Sequence, residues 1–263
     1  MRRSETLFVP DSEAPLILSL ETATRTGSVA LTRGPRLLAL RAGEAQTSHS
    51  NRLLQSVAEA LEEAGATLSQ VELFAVANGP GSFTGLRIGL ATVKSFAATL
   101  KRSCVGVPTL SAVAHAAGAS SRTLAMIPAG RGEVFAQLLS VEETGAVTPL
   151  GKAVHQSPER LLDDVAHFTR LSFAGEGAQQ HESLIKARAE RAGVALSDEK
   201  TSGPECAATN EKLWRISASA PELATDVAAL ALLRRQSGEA IDAEQLQAIY
   251  VRPSDAELNA QER

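Results

Sequence analysis

From residue 16 onward the chain alternates short apolar runs, turn residues and amphipathic stretches. Leu16-Ile17-Leu18-Ser19-Leu20 is a buried-type strand that ends in the polar turn Glu21-Thr22-Ala23-Thr24. Gly27 to Thr32 predicts a second strand. Leu37 to Ala42 predicts a third, after the turn at Gly34-Pro35, so the opening is an antiparallel meander. Leu53, Leu54, Val57, Leu61 and Ala64 fall at helical spacing behind Ser48-His49-Ser50, with Gly65 as the stop. Leu73 to Ala77 is an apolar strand, Thr84 to Leu100 a long helix, Cys104 to Pro108 a short strand, and Thr109 to Ala117 an alanine-rich helix.

The second half starts the same pattern again. Leu124 to Ile127 predicts a strand, Pro128 to Gly132 a glycine turn, and Glu133 to Val141 a strand. This echo of the first two strands points to a duplicated architecture. Ser157-Pro158 opens a helix with serine at the N-cap and proline at the first position, and Leu161, Leu162 and Val165 give it an apolar face. Leu171 to Ala174 is a strand that runs into Gly175-Glu176-Gly177, which opens a helix over Ala178 to Ala192. Asp198 to Lys212 reads as a polar loop. Ser219-Ala220-Pro221-Glu222 reads as a capping box for a helix through Leu223, Val227, Leu230 and Leu233. Ile249 to Pro253 is a short extended segment before a polar tail.

The stretch Asn78 to Gly89 (NGPGSFTGLRIG) stands out against this pattern. Gly81, Gly85 and Gly89 are four residues apart, and a glycine inside a helix costs about 1 kcal/mol relative to alanine. Side chains at i and i+4 share a face, so the helix carries a bare face that something approaches closely: a helix, a nucleotide or another chain. Counting excludes several familiar loops. No lysine follows the glycine spacing of a P-loop, Thr84 occupies the third glycine of a dinucleotide pattern, and Pro80 and Thr84 flank Ser82 where a nucleophile elbow needs glycines. What remains is a strand–loop–helix junction capped by Ser82 or Thr84.

Composition narrows the picture further. The 263 residues are 44% apolar but only 3% aromatic, so the core is built from Ala, Leu and Val. The net charge of −4, with no long Lys/Arg run, argues against a protein that holds nucleic acid by electrostatics alone. Cys104 and Cys206 stand apart, as buried thiols in a reducing cytoplasm would. The first residues lack the apolar region of a signal peptide, and the aliphatic run near Val227 to Leu233 is too short to span a bilayer. A cytoplasmic protein is expected, with no membrane association.

Candidate chemistry is sparse. His49, His115, His155, His167 and His181 are scattered with no metal-like spacing, so no metal site is expected. Glu21, Glu133 and Glu176 each follow a strand or a glycine turn. Glu21 closes the first strand, where a phosphate or a magnesium-bound water could sit.

Taken together, Leu16 to Leu31 (LILSLETATRTGSVAL), His49-Ser50, Gly79 to Thr92 (GPGSFTGLRIGLAT), Gly106-Val107-Pro108 and Tyr250-Val251-Arg252-Pro253 resemble the TsaB family, also called YeaZ. The resemblance covers about Leu16 to Pro253 and is most specific in the glycine stretch. It implies an α/β, two-lobed actin/sugar-kinase/Hsp70-like (ASKHA) fold with mixed sheets flanked by helices. The implied divisions are a tail over 1–14, an N-terminal lobe over 15–108, a C-terminal lobe over 109–252 whose last helix can pack back on the first, and a polar tail over 253–263.

The resemblance also implies a role. A family member of this kind is a non-catalytic scaffold in making N6-threonylcarbamoyladenosine beside the anticodon of tRNAs that read codons starting with A. It pairs with the catalytic, metal-binding paralogue TsaD; the ATPase TsaE binds the pair, tRNA is reached through the complex, and a homodimer forms when the chain is alone. The paralogue follows its glycine loop with two metal histidines, whose positions are Thr109 and Val113 here. The implied partner interface is Arg52, Leu53, Val57, Ser82, Gly85, Leu86, Gly89, Leu90 and Val93. Glu21, Thr22, Gly79, Gly81, Gly175 and Gly177 would be a vestigial phosphate loop. No cofactor is implied, with ATP or ADP possible only at a partner interface. The family turn Asp-Ala-Arg-x-Gly-Glu-Val is altered here to Pro128-Ala129-Gly130-Arg131-Gly132-Glu133-Val134. The alternative reading is a stand-alone ATPase or small-molecule kinase that uses Glu21 beside magnesium.

Overall fold

The structure, a computed structural model, describes residues 14–43, 49–198, 212–218 and 220–251, with the backbone alone at 49–51 and 198. Calls on the two tails, on the side chain of His49, on Cys206 and on most of the polar loop therefore lie outside the described residues.

The first sheet grows from the opening meander. Strand β1 (Leu16–Glu21) pairs antiparallel with β2 (Ser28–Arg33), which pairs antiparallel with β3 (Arg36–Ala42). Helix α1 (His49–Glu63) then crosses over, and β4 (Leu73–Ala77) adds to the other side of β1 in parallel. Helix α2 (Phe83–Leu100) leads to β5 (Ser103–Val107), parallel to β4, giving the order β3-β2-β1-β4-β5. All six residues of β1 and all five of β4 are buried. That explains their continuous apolar runs: a sheet covered on both faces has no solvent side on which to alternate.

Helix α3 (Thr109–Ala116) carries the chain to a second sheet, built by the same plan. Strands β6 (Ser120–Gly130), β7 (Glu133–Val141) and β8 (Val147–Pro149) form an antiparallel meander, with β9 (Val154–Gln156) also on β7. After helix α4 (Pro158–Val165), β10 (Arg170–Ala174) pairs parallel with β6. Helices α5 (Glu176–Gln180) and α6 (Glu182–Ala192) follow, then β11 (Ala195–Asp198) and β12 (Leu213–Ile216), and β12 lies parallel beside β10. The second sheet runs β8-β7-β6-β10-β12-β11, and its first five strands repeat the order β3-β2-β1-β4-β5. The duplication hinted at by the apolar pattern is thus a duplicated sheet, and the fold is the ASKHA type.

Helix α7 (Ala224–Gln236) lies across β1, β2, β4 and β5, while α3 lies on β6 and β7. The two helices touch, and His115 Nδ1 sits 2.6 Å from Asp226 Oδ1 between them. The second core centres on Trp214, which meets Phe173 edge-on at 5.1 Å and donates from its indole N–H to the Phe168 carbonyl at 3.0 Å. Satisfying that N–H is what lets the large ring be fully buried.

Three predicted elements differ. The helix expected over Ala178 to Ala192 is two helices broken at His181, which leaves helical dihedrals at φ −112°. The helix expected from the Ser219–Glu222 box begins later, at Ala224. The glycine turn expected over Pro128 to Gly132 is shorter, because β6 runs on to Gly130.

Candidate functional site

The glycine stretch is the hub of the first lobe. Ser82 caps α2 by accepting from the Gly85 amide at 3.2 Å. The bare glycine face it begins is filled from within. A Cβ on Gly85 would overlap the Thr22 carbonyl oxygen, and one on Gly89 would overlap the Thr22 hydroxyl. Thr22 in turn donates to the Gly85 carbonyl at 2.8 Å. The close approach inferred from the spacing is therefore made by the β1–β2 turn of the same chain.

Burial divides the residues expected at the partner interface. Gly85, Leu86, Gly89, Leu90 and Val93 on α2, and Leu53 and Val57 on α1, are all buried against the sheet, while Arg52 and Ser82 face outward. An amphipathic helix gives its apolar stripe to its own core first, so the strongest periodic signal marks the inside. The outward face of α2 carries Phe83, Arg87, Ala91, Ser95 and Ala98 instead, and α1 beside it exposes Leu54 (61%) and Ala58. Leu54, counted from the sequence into the apolar stripe of α1, is exposed instead, and the other surface residues were not singled out from the sequence. The Phe83/Arg87 spacing of four was the available signal: the Arg87 guanidinium lies 3.8 Å above the Phe83 ring, whose other neighbour is Tyr250 at 5.6 Å.

The segment after α7 straps this loop down. Ile249 donates from its amide to the Asn78 carbonyl at 2.7 Å, and the Asn78 side chain donates to the Gln247 carbonyl at 3.1 Å. Gly79, at φ +117°, lies so close to Ile249 that a Cβ would overlap its carbonyl oxygen. Gly81 is pressed against Ala23.

The other expected phosphate-loop residues are equally occupied. Glu21 is fully buried and turns its carboxylate back into its own loop. It accepts from the amides of Ala23 at 2.5 Å and Thr24 at 2.8 Å and from the Thr24 hydroxyl at 2.6 Å. Across the molecule, Gly175 and Gly177 rest on the backbone at Met126, so this turn holds α5 against β6. Between the two loops lies a cavity of about 300 Å³, walled by Val113, Ala116, Ile127 and Leu223, with Thr24 and Glu176 at its rim.

Thr109 and Val113, where the resemblance implies that a catalytic paralogue carries metal histidines, have structural jobs. The Thr109 hydroxyl accepts from the Gly79 amide at 3.2 Å, the Thr109 amide donates to the Gly79 carbonyl at 2.9 Å, and Val113 is a buried wall residue. Among the described residues, no three His, Cys, Asp or Glu side chains are grouped to hold a metal ion. Nor is any described helix long and apolar enough to cross a membrane.

Comparison with known proteins fits this geometry. A family model described as "TsaD: tRNA N6-adenosine threonylcarbamoyltransferase" matches residues 43–258. The chain belongs to that family. Its likeness to the TsaB/YeaZ members, read first from the glycine stretch, is also met in solved structures and curated relatives. YeaZ from Pseudomonas aeruginosa superposes with a TM-score of 0.67 at 28% identity, covering 90% of this chain and 99% of that one. The TsaB biosynthesis protein of Escherichia coli K12 is 34% identical over 132 residues, 49% of this chain and 57% of the relative. A tRNA N6-adenosine threonylcarbamoyltransferase of Protochlamydia amoebophila is 30% identical over 146 residues, 52% of this chain and 42% of the relative. The chain thus spans about half the length of the curated relatives it matches.

Proposed function

We propose that this TsaB-like chain is the accessory, non-catalytic subunit of the assembly that makes N6-threonylcarbamoyladenosine beside the anticodon of tRNAs reading codons that start with A. It works in the cytoplasm, paired with the catalytic paralogue TsaD; the ATPase TsaE engages the pair, and tRNA is contacted through the complex. Alone it forms a homodimer through the same surface. The observation that carries the reading is the fate of Thr109 and Val113. A chain of this family that performed metal-assisted transfer itself would need nitrogen ligands there. Thr109 instead bonds the glycine loop and Val113 is apolar wall. Neither offers a nitrogen ligand.

The pairing surface is the outward face of α2 with the exposed flank of α1, not the glycine face. Ala91, Ser95 and Ala98 keep the α2 backbone accessible, and Leu54 supplies apolar area. A stand-alone ATPase or kinase is disfavoured, because the carboxylate it would place beside magnesium, Glu21, is bonded into its own turn. Any nucleotide belongs at the partner interface. Size-exclusion chromatography of the chain mixed with the paralogue from the same organism tests the pairing. Co-elution of the two is expected, and separate elution at micromolar concentration contradicts it.

A further inference from the structure

The cavity between the two lobes takes no part in the function proposed above, and it sets an apolar wall against a polar rim of Thr24, Thr26, Glu176 and Gln179. Val113 and Ala116 from α3, Ile127 from β6 and Leu223 before α7 form an apolar wall. Glu176 is the one charged side chain among the described lining residues. Its Oε1 accepts from the Gln180 amide at 2.9 Å, so the carboxylate keeps acceptor capacity toward the cavity.

The donors of the turn after β1 are already committed. The Ala23 and Thr24 amides and the Thr24 hydroxyl converge on the Glu21 carboxylate, which occupies the turn as a built-in anion. The facing turn offers no substitute. Gly175 and Gly177 are pressed on Met126, and α5, five residues long, begins with the acidic Glu176. A phosphate or carboxylate entering here would meet the Glu176 carboxylate, while those three loop donors are already engaged. Burying a charge without a partner is costly.

We infer that this cavity is a binding site for a small organic cation with a flat apolar body, and that it rejects anions. The apolar body lies on the Val113–Ile127 wall, and the cationic head pairs with Glu176 at the rim. A volume of about 300 Å³ is at the small end of ligand pockets, which suits a single bicyclic ring system and not a nucleotide.

Three indole probes with the same body and different charge test this on the full chain by isothermal calorimetry: tryptamine, tryptophol and indole-3-acetate. The expected order is tryptamine about tenfold tighter than tryptophol, with indole-3-acetate about tenfold weaker still, since a charge-assisted bond to a partly buried carboxylate accounts for a step of that size. In Glu176→Gln the tryptamine advantage disappears while tryptophol binding persists. Ala116→Phe fills the cavity and abolishes all three; should that variant not fold, Glu176→Gln still decides. The inference is overturned if indole-3-acetate binds as tightly as tryptamine, if Glu176→Gln keeps the charge preference, if folded Ala116→Phe binds like wild type, or if no probe saturates below about 5 mM.

Discussion

Gly85 shows how a correct local inference can lead to the wrong neighbour. The glycine spacing states that something comes close, and something does, but it is the Thr22 carbonyl of the same chain. Sequence carries no label for which surface fills a bare helix face, because intradomain and intermolecular packing ask for the same small residue. Gly85→Ala should therefore cost stability. Overpacking of this kind amounts to about 2 kcal/mol and a melting temperature lower by about 5 °C. Thermal unfolding followed by circular dichroism checks this, and an unchanged midpoint would return the glycine face to solvent.

Cys104 is legible as a buried thiol, and its environment adds a pH signature. Burial, helped by the Asp242 carboxylate and opposed by Lys94, raises its pKa from 9.0 to about 11. Below about pH 9 the thiol is protonated in folded and unfolded chains alike and gives no pH dependence. From there to about pH 11 the unfolded thiol ionises while the folded one stays protonated, so its contribution falls as pH rises. In a Cys206→Ser variant, native protein at pH 8 should react with iodoacetamide at least about tenfold more slowly than urea-unfolded protein, since the thiolate is the nucleophile. Equal rates would contradict the burial.

Among the elements, the first lobe was largely legible. Leu16 to Ala42 reads as a meander and folds as one, because strands with strong apolar runs and glycine turns leave few alternatives. Strand β12 was missed because Leu213-Trp214-Arg215-Ile216 is four residues long and gains its place only by pairing with β10 and β11. The break at His181 was missed because helical spacing continues across it. The outward faces of α1 and α2 were illegible for another reason: surface positions carry no periodic constraint of their own. If those faces pair with TsaD, Leu54→Asp and Ala91→Glu should each weaken co-elution at least about tenfold while leaving the melting temperature within about 2 °C, because exposed substitutions cost little stability. Pairing that survives both changes would move the interface elsewhere.

At the scale of the whole molecule, a duplicated sheet flanks a cavity, the donor cradle of the turn after β1 is filled by Glu21, and Thr109 and Val113 bear structure. The duplication was visible in the apolar pattern; the filling of the cradle was not, since a carboxylate after a strand reads the same whether it faces a ligand or its own turn. Together these features describe a member of the family, and the proposed role in it is to support chemistry done by a partner. The most direct measurement is reconstitution of threonylcarbamoyladenosine formation on transcribed tRNA with threonylcarbamoyl-adenylate, TsaD and TsaE, with and without this chain. The account predicts product in the full mixture, little without this chain, and none when this chain replaces TsaD. Product formed by this chain without TsaD, or equal yield by TsaD without it, would contradict the account.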